Sequence, residues 1–147
     1  MKKMLFAGVC AATLAFGSLV AVAQDDVVAQ RQEVMKSNGA QMKALAGMAK
    51  GETAFDAGKV QEAGKTLKAN FEKVAGMWPE GSMTDKSRAK PEIWSDMDGF
   101  KAAMEKAMNA ADAVAAVSDE AGLKAAMGEI GGACKGCHEK FQKPKES

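Results

Sequence analysis

The run Cys134-Lys135-Gly136-Cys137-His138, close to the C-terminus, is the feature that most limits what this 147-residue chain can fold into. Two thiols separated by two residues can each form a thioether with one vinyl group of a haem, and the histidine after them can then bind the iron. The motif therefore predicts one covalently attached haem c, around which the rest of the chain has to pack.

The motif has three other possible uses. A structural zinc site needs four ligands, whereas Cys134, Cys137 and His138 supply three and the chain has no second histidine. A thioredoxin-like dithiol begins a helix after a strand, but this pair stands late in a helical pattern. A purely structural pair remains an alternative, although an exported chain has little use for two unpaired thiols.

Residues 1–23 have the pattern of a secretory signal peptide. Lys2 and Lys3 precede an apolar stretch, and Ala21-Val22-Ala23 is a small-residue cleavage site. The stretch is too short for a comfortable membrane span. We predict that the mature chain begins at Gln24, without Cys10 and without a membrane span, in the periplasm or an extracellular space. A lipid anchor on Cys10 is the alternative that we considered.

Residues 24–147 suit one domain with its own core. Removing Lys2 and Lys3 lowers the basic count from 20 to 18, against 19 acidic residues, so the balance of charge predicts no nucleic-acid partner. Tyrosine is absent, while the helix-favouring residues Ala, Lys, Glu and Met are abundant.

Four stretches place apolar residues at alternating steps of three and four, which predicts four helices. The first spans about 26–49, the second begins at an N-cap Asp56 and continues to Trp78, the third begins at Pro91, and Ser118 caps the fourth. The stripe of the first helix is Val28, Arg31, Met35, Asn38, Met42, Leu45 and Ala49. That of the second is Val60, Gly64, Leu67, Phe71, Val74 and Trp78. The third carries Trp94, Met97, Phe100 or Lys101, Met104, Met108 and Ala111, and the fourth Leu123, Met127, Ile130, Cys134, Cys137 and Phe141.

Both reactive thiols lie on the apolar stripe of the last helix and therefore point into the core. With such short connections, the prediction is an all-α fold: an antiparallel up-down four-helix bundle with haem c in its core. The longest break, from Pro79 to Lys90, is long enough to cover an end of the bundle, but we interpret it as a surface loop.

The late CKGCH motif, Arg31-Gln32 and the run Lys90-Pro91-Glu92-Ile93-Trp94-Ser95-Asp96 resemble class II c-type cytochromes, the cytochrome c′ family. The resemblance covers essentially the whole predicted mature chain. It implies an exported haem protein, often a homodimer, with His138 as the proximal iron ligand.

The family has a high-spin branch with an open distal face and a low-spin branch with a methionine ligand. The residues around Met35, together with Leu123-Lys124-Ala125-Ala126-Met127, are similar to the low-spin branch, which implies Met35 as the sixth ligand. Met35 is otherwise a core residue among nine mature methionines, and Met42 is its nearest competitor on the stripe.

Two further residues carry weaker expectations. Arg31 on a core stripe needs a partner, and a haem propionate is one; the other interpretation is an exposed arginine whose stem lies along the bundle. The resemblance implies that Gln32 contacts the haem edge, unless it is a surface residue. Asn38 either serves the haem surroundings or caps a bend. One departure is Gln142, which stands where family members commonly carry an arginine.

These features lead to a function. The first hypothesis is a one-electron carrier with His138 and Met35 as axial ligands and redox proteins as partners. The alternative is a five-coordinate protein that binds nitric oxide or carbon monoxide, with Met35 as a lid. An enzyme is not expected, since no second histidine is present to act as an acid or base. The lysines at 140, 143 and 145 are either a docking patch or a solvated tail.

Overall fold

The computed structural model describes residues 16–144, with side chains from residue 25 onward. Most of the predicted signal peptide, including Cys10, lies outside this range, as does Lys145. Five helices follow one another: α1 (Phe16–Ala49), α2 (Ala57–Ala75), α3 (Glu92–Ser95), α4 (Met97–Ala115) and α5 (Glu120–Phe141). An isolated bridge between Ala89 and Gln142 is the β-type pairing in the described part of the chain.

The four long helices form a bundle, as predicted. Helix α1 packs on α2 and α5, and α4 packs on the same two helices, so the four surround one core. Gly64 brings α2 and α4 together. A methyl group added at this position would stand 2.7 Å from Ala115 Cα and 2.9 Å from the Ala111 carbonyl oxygen.

Aspartates begin three of these helices. Asp56 accepts a hydrogen bond from the Lys59 amide at 3.0 Å, which confirms the predicted N-cap of α2. The prediction of Ser118 as the cap of the last helix was wrong by one residue, because Asp119 accepts from the Gly122 amide at 2.8 Å. The carboxylate, one residue further on, is the group that reaches the free amides of the first turn.

The third predicted helix is two helices. Pro91 does begin a helical turn, but α3 ends after Ser95 because Asp96 leaves the helical region, with φ −130° and ψ 58°. Asp96 then caps α4 through the Gly99 amide at 3.1 Å. The second helix is shorter than predicted, since it ends at Ala75 with Gly76 as its C-cap. Trp78 therefore lies in the loop that follows rather than on the helix.

The periodic stripes largely form the core. On α2 all five predicted positions up to Val74 are buried, and on α4 Phe100 is buried while Lys101 is exposed. On α1 the buried face is turned slightly from the prediction, because Val34 and Met48 are buried while Met35 and Met42 are half-buried. On α5 Leu123 and Ile130 are fully buried, and the two cysteines are half-buried at the edge of the same core.

The loop between α2 and α3 is not the surface loop of the sequence interpretation. Ser82 has no exposed surface, and Ser87 and Ala89 are also buried. The loop closes over one end of the bundle, where it meets α1 and the end of α5. No helix in residues 16–144 is both long and apolar enough to cross a membrane.

Candidate haem-binding site

A cavity of about 250 Å³ lies between α1, the α2–α3 loop, α4 and the last turns of α5. Its wall is mostly apolar, as expected for a buried cofactor site. The apolar side chains that line it are Val28, Val74, Ile93, Phe100, Met104 and Phe141. In the described part of the chain no carboxylate lines it, and His138 is its one histidine.

Helix α5 brings the attachment residues to this cavity. Cys137 and His138 line it, and Cys134 lies one turn earlier, half-buried against the core. Burial raises the pKa of each thiol above its ordinary value. The pKa of His138 is lowered mainly by partial burial and, to a smaller extent, by the positive charge of Arg88. The imidazole is therefore neutral at neutral pH, which leaves a nitrogen lone pair free for a metal.

Met35 lines the same cavity from α1. Its sulfur accepts a hydrogen bond from Asn38 Nδ2 at 3.9 Å, and Asn38 in turn is held by Asn70 of α2. Met42, the competitor named from the sequence, packs on the core without lining the cavity. Met104 of α4 does line it, and nothing in the periodic pattern separated this methionine from the other core methionines.

Arg31 is buried, with 4% of its surface exposed, so it is not the solvated arginine of the alternative interpretation. Its guanidinium donates to the Ser82 carbonyl at 2.5 Å, to the Ser82 hydroxyl at 3.2 Å and to the Met77 carbonyl at 3.4 Å. No carboxylate among the described residues forms an ion pair with it. Burial lowers its pKa. A buried cation on the cavity wall is thus held by neutral acceptors alone.

Trp78 is the neighbour of Arg31 in this wall. The guanidinium carbon lies 4.1 Å from the centroid of the indole ring, and Phe100 meets that ring edge to face at 5.0 Å between centroids. The indole Nε1 is buried and has no hydrogen-bond partner among residues 25–144. A buried donor without an acceptor is costly. Trp78 and Arg31 thus give the cavity two donor groups suited to an anionic ligand.

These observations fit a haem c. The ring needs an apolar slot, two thiols next to a neutral imidazole, and donors for its propionates. The slot, Cys137, the imidazole and the donors are on the wall of the cavity, and Cys134 lies one turn earlier on α5. Gln32 lines the cavity as well, although it is exposed and its amide donates to the Lys86 carbonyl at 2.9 Å. The haem contacts of Arg31 and Gln32, and the iron bond of Met35, stay predictions.

The last residues of the chain pair with the α2–α3 loop beside His138. The Lys90 amide donates to the Phe141 carbonyl at 3.0 Å, and the Lys143 amide donates to the Arg88 carbonyl at 2.7 Å. The Arg88 guanidinium donates back to the Lys143 carbonyl at 3.1 and 2.6 Å. Arg88 and Gln142 line the cavity together, so a cation from the loop stands near the position where the resemblance led us to expect an arginine.

Lys140 forms an ion pair at the surface. Its ammonium lies 2.5 Å from a carboxylate oxygen of Asp96, which ties the last turn of α5 to the start of α4. Lys143 forms no ion pair in the described part of the chain. Lys145 lies outside the described residues, and whether the three lysines form a docking patch or a solvated tail stays a prediction.

Sequence reasoning missed Trp78, Arg88 and Met104 as site residues. Trp78 and Met104 were on predicted core stripes without being named as site residues, whereas Arg88 was assigned to a surface loop. The departure at Gln142 was the available signal for Arg88. Because this chain lacks the arginine that family members commonly carry there, a replacement cation could have been sought elsewhere in the chain.

Comparison with known proteins agrees with this site. A sequence model of the family described as "Cytochrome C'" matches residues 26–142. The cytochrome c′ of Rhodopseudomonas palustris is 38% identical over 137 residues, which is 92% of this chain and 94% of that protein. Cytochrome c-556 of Agrobacterium fabrum is 38% identical over 144 residues, 97% of this chain and 92% of that protein.

A solved structure has the same fold. The nitric oxide complex of a variant of cytochrome c prime from Alcaligenes xylosoxidans superimposes with a TM-score of 0.76 at 26% identity, over 83% of this chain and 97% of that one. The family model covers nearly all of the described residues and includes the attachment motif. This chain, a haem c protein built on a four-helix bundle, therefore belongs to the cytochrome c′ family.

Proposed function

We propose that this protein binds a small neutral gas, nitric oxide or carbon monoxide, at a haem c whose iron has His138 as its one protein ligand. When bound, the haem supplies an iron with an open coordination position. Cys134 and Cys137 hold it covalently, and Met35 is the side chain that an entering gas molecule has to pass. The proposal replaces the electron carrier as the first hypothesis, because the relatives include a cytochrome c prime solved as a nitric oxide complex.

The composition of the cavity wall is the observation that carries the proposal. Apolar side chains and the Met35 and Met104 thioethers form most of the wall, and in the described part of the chain no carboxylate lines it. Its polar residues besides His138 are Arg31, Gln32, Ser87, Arg88 and Gln142. We expect Arg31 and Trp78 to serve the haem propionates, and the apolar part of the wall then favours a neutral diatomic molecule over water. It also offers no acid or base for turnover, so we expect binding without catalysis.

The residues of the wall also support a second candidate function, the one-electron carrier. Met35 and His138 line one cavity, so a carrier with both as axial ligands is compatible with the fold. A thioether ligand would fill the sixth position and favour ferrous iron. The two candidates make different predictions for the wild type, which binds carbon monoxide if its sixth position is open and resists it if Met35 fills that position.

The test is a carbon monoxide titration of the ferrous holoprotein and of Met35→Ala. We expect the wild type to bind the gas and Met35→Ala to bind it faster, because a smaller side chain leaves a wider entrance. Met42→Ala is the matched control: it removes a half-buried methionine of the same helix that does not line the cavity, and it should behave as the wild type. If the wild type does not bind carbon monoxide and Met35→Ala does, the carrier is favoured instead.

The remaining parts of the proposal concern the whole protein. We infer export to the periplasm with removal of residues 1–23. The mass of the purified protein tests this, because it shows whether the mature chain begins at Gln24. We also infer a homodimer from membership of the family, and sedimentation of the holoprotein as a monomer would remove that inference. Any redox partner proteins are expected to be bound transiently.

A further inference from the structure

Asn38 is a buried polar residue that does not line the haem cavity described above. It lies on α1, three residues after Met35, and 6% of its surface is exposed. A buried amide is costly unless its oxygen and its nitrogen both find partners. Its partners therefore indicate what the residue is for.

The amide of Asn38 has a hydrogen-bond partner at each end. Asn70 Nδ2 donates to Asn38 Oδ1 at 2.8 Å and to the Ser37 hydroxyl at 3.0 Å. With its oxygen facing Asn70, Asn38 presents its NH2 group to the Met35 sulfur, 3.9 Å away. In the reversed orientation the amide oxygen would face the sulfur, which has no hydrogen to donate. The orientation seen in the structure therefore gives both ends of the Asn38 amide a complementary partner, and one of these partners is Met35.

We propose that Asn38, oriented by Asn70, is a positioning residue that holds the Met35 thioether along α1 and keeps it from binding the haem iron. A methionine side chain has three rotatable bonds and is adaptable. A donor fixed to the backbone of the next turn restricts it to the rotamers that keep the sulfur near Asn38. The inference rests on the proposed function, since it explains how a chain with a methionine on the cavity wall keeps its iron five-coordinate.

The experiment compares the wild type with Asn38→Leu, which keeps the size of the side chain and removes the donor. In the ferrous holoprotein we expect Asn38→Leu to gain low-spin absorption bands and to bind carbon monoxide about threefold to tenfold more weakly, the effect of losing one hydrogen bond. Both changes should disappear in the Met35→Leu/Asn38→Leu double variant. Gln41→Leu is the matched control on α1, since Gln41 is half-buried and does not line the cavity. An Asn38→Leu spectrum without added low-spin bands overturns the inference.

A second measurement separates this inference from the proposed function. In the carbon monoxide complex the gas fills the sixth position, so Met35 is off the iron whatever its resting state is. With 13C-methyl methionine, we expect one narrow Met35 resonance in the wild-type complex and a shifted, broadened one in Asn38→Leu. An unchanged resonance overturns the role of Asn38 even if the iron is five-coordinate. A resting wild type whose iron is already bound by Met35 overturns the proposed function and the claim that Asn38 keeps Met35 off the iron. The methyl resonance then still tests whether Asn38 positions Met35.

Discussion

The guanidinium of Arg31 stacks over the indole ring of Trp78, with 4.1 Å between the guanidinium carbon and the ring centroid. The same guanidinium hydrogen-bonds Ser82, which is fully buried in the loop between α2 and α3. One side chain of α1 therefore holds Trp78 and Ser82, which both lie in the first half of the loop that closes the haem cavity. Stacking of this kind adds about 0.5–2 kcal/mol to the hydrogen bonds.

Arg31→Leu should lower the free energy of unfolding of the holoprotein by about 3 kcal/mol, because it leaves the buried acceptors of Ser82 without a donor. Urea unfolding followed by far-ultraviolet circular dichroism measures this. Gln32→Leu is the control, since Gln32 is exposed and makes one bond to the Lys86 carbonyl; its effect should stay below about 1 kcal/mol. Equal effects of the two variants would show that Arg31 does not hold the loop.

Gly64→Ala should destabilise the bundle by about 1–3 kcal/mol, because the new methyl group would press on the backbone of α4 at Ala111 and Ala115. Gly128→Ala is a control with the opposite sign. Gly128 is exposed on α5 with open space around it, so alanine there should stabilise the helix by up to about 1 kcal/mol. Thermal unfolding of both variants decides the matter, and a Gly64→Ala protein as stable as the wild type would contradict the close approach of α2 and α4.

The pairing of Asp96 with Lys140 predicts a pH dependence of stability. The hydrogen bond from Lys140, followed by the one from the Gly99 amide, lowers the pKa of Asp96 below its ordinary value of 3.8. A carboxyl whose pKa is lower in the folded state stabilises the protein above its ordinary pKa, and this contribution is lost as the pH falls through the folded-state pKa.

Asp96→Asn keeps an N-cap for α4 but removes the charge that faces Lys140. The wild type should therefore be more stable than Asp96→Asn at pH 7, and the difference should shrink as the pH falls below 3.8. Urea unfolding at a series of pH values measures the difference, which should also decrease with added salt because the pair is exposed. A difference that does not change with pH would mean that the ion pair is not its source.

Covalent attachment is predicted to need both thiols of α5. Cys134→Ala/Cys137→Ala should abolish covalent haem, and each single variant should leave at most one thioether. Mass spectrometry of the denatured protein, expressed in a host that attaches haem c, measures the mass of the peptide that contains residues 134–138. Cys10→Ala is the control: because Cys10 lies in the segment that we infer to be removed, this variant should give the same mature holoprotein as the wild type.

The sequence predicted the helical part of the fold because each long helix has a regular apolar stripe, and positions such as Leu67 and Ile130 are fully buried where the pattern placed them. It was less successful where a single residue ends a helix. Asp96 interrupts the third stripe without disturbing its period, so the pattern did not reveal the break. Helix ends depend on which side chain reaches the free amides, as Asp119 does in place of Ser118.

The residues of the site also fall into those that the sequence could predict and those that it could not. Cys134, Cys137 and His138 could be predicted because their chemistry depends on spacing within one helix. Arg88 and Trp78 could not, because they reach the cavity through a loop whose path is fixed by contacts distant in sequence, such as the pairing of Ala89 with Gln142. Asn38 was visible as a polar residue on an apolar stripe, but its partner Asn70 lies on another helix and became known from the fold.

The absorption spectrum of the resting ferrous holoprotein at neutral pH tests the account most directly, because it reports whether Met35 is bound to the iron. The account predicts a broad high-spin envelope that Met35→Ala leaves nearly unchanged. Sharp, split low-spin bands in the wild type that vanish in Met35→Ala would contradict it and would make Met35 the sixth ligand.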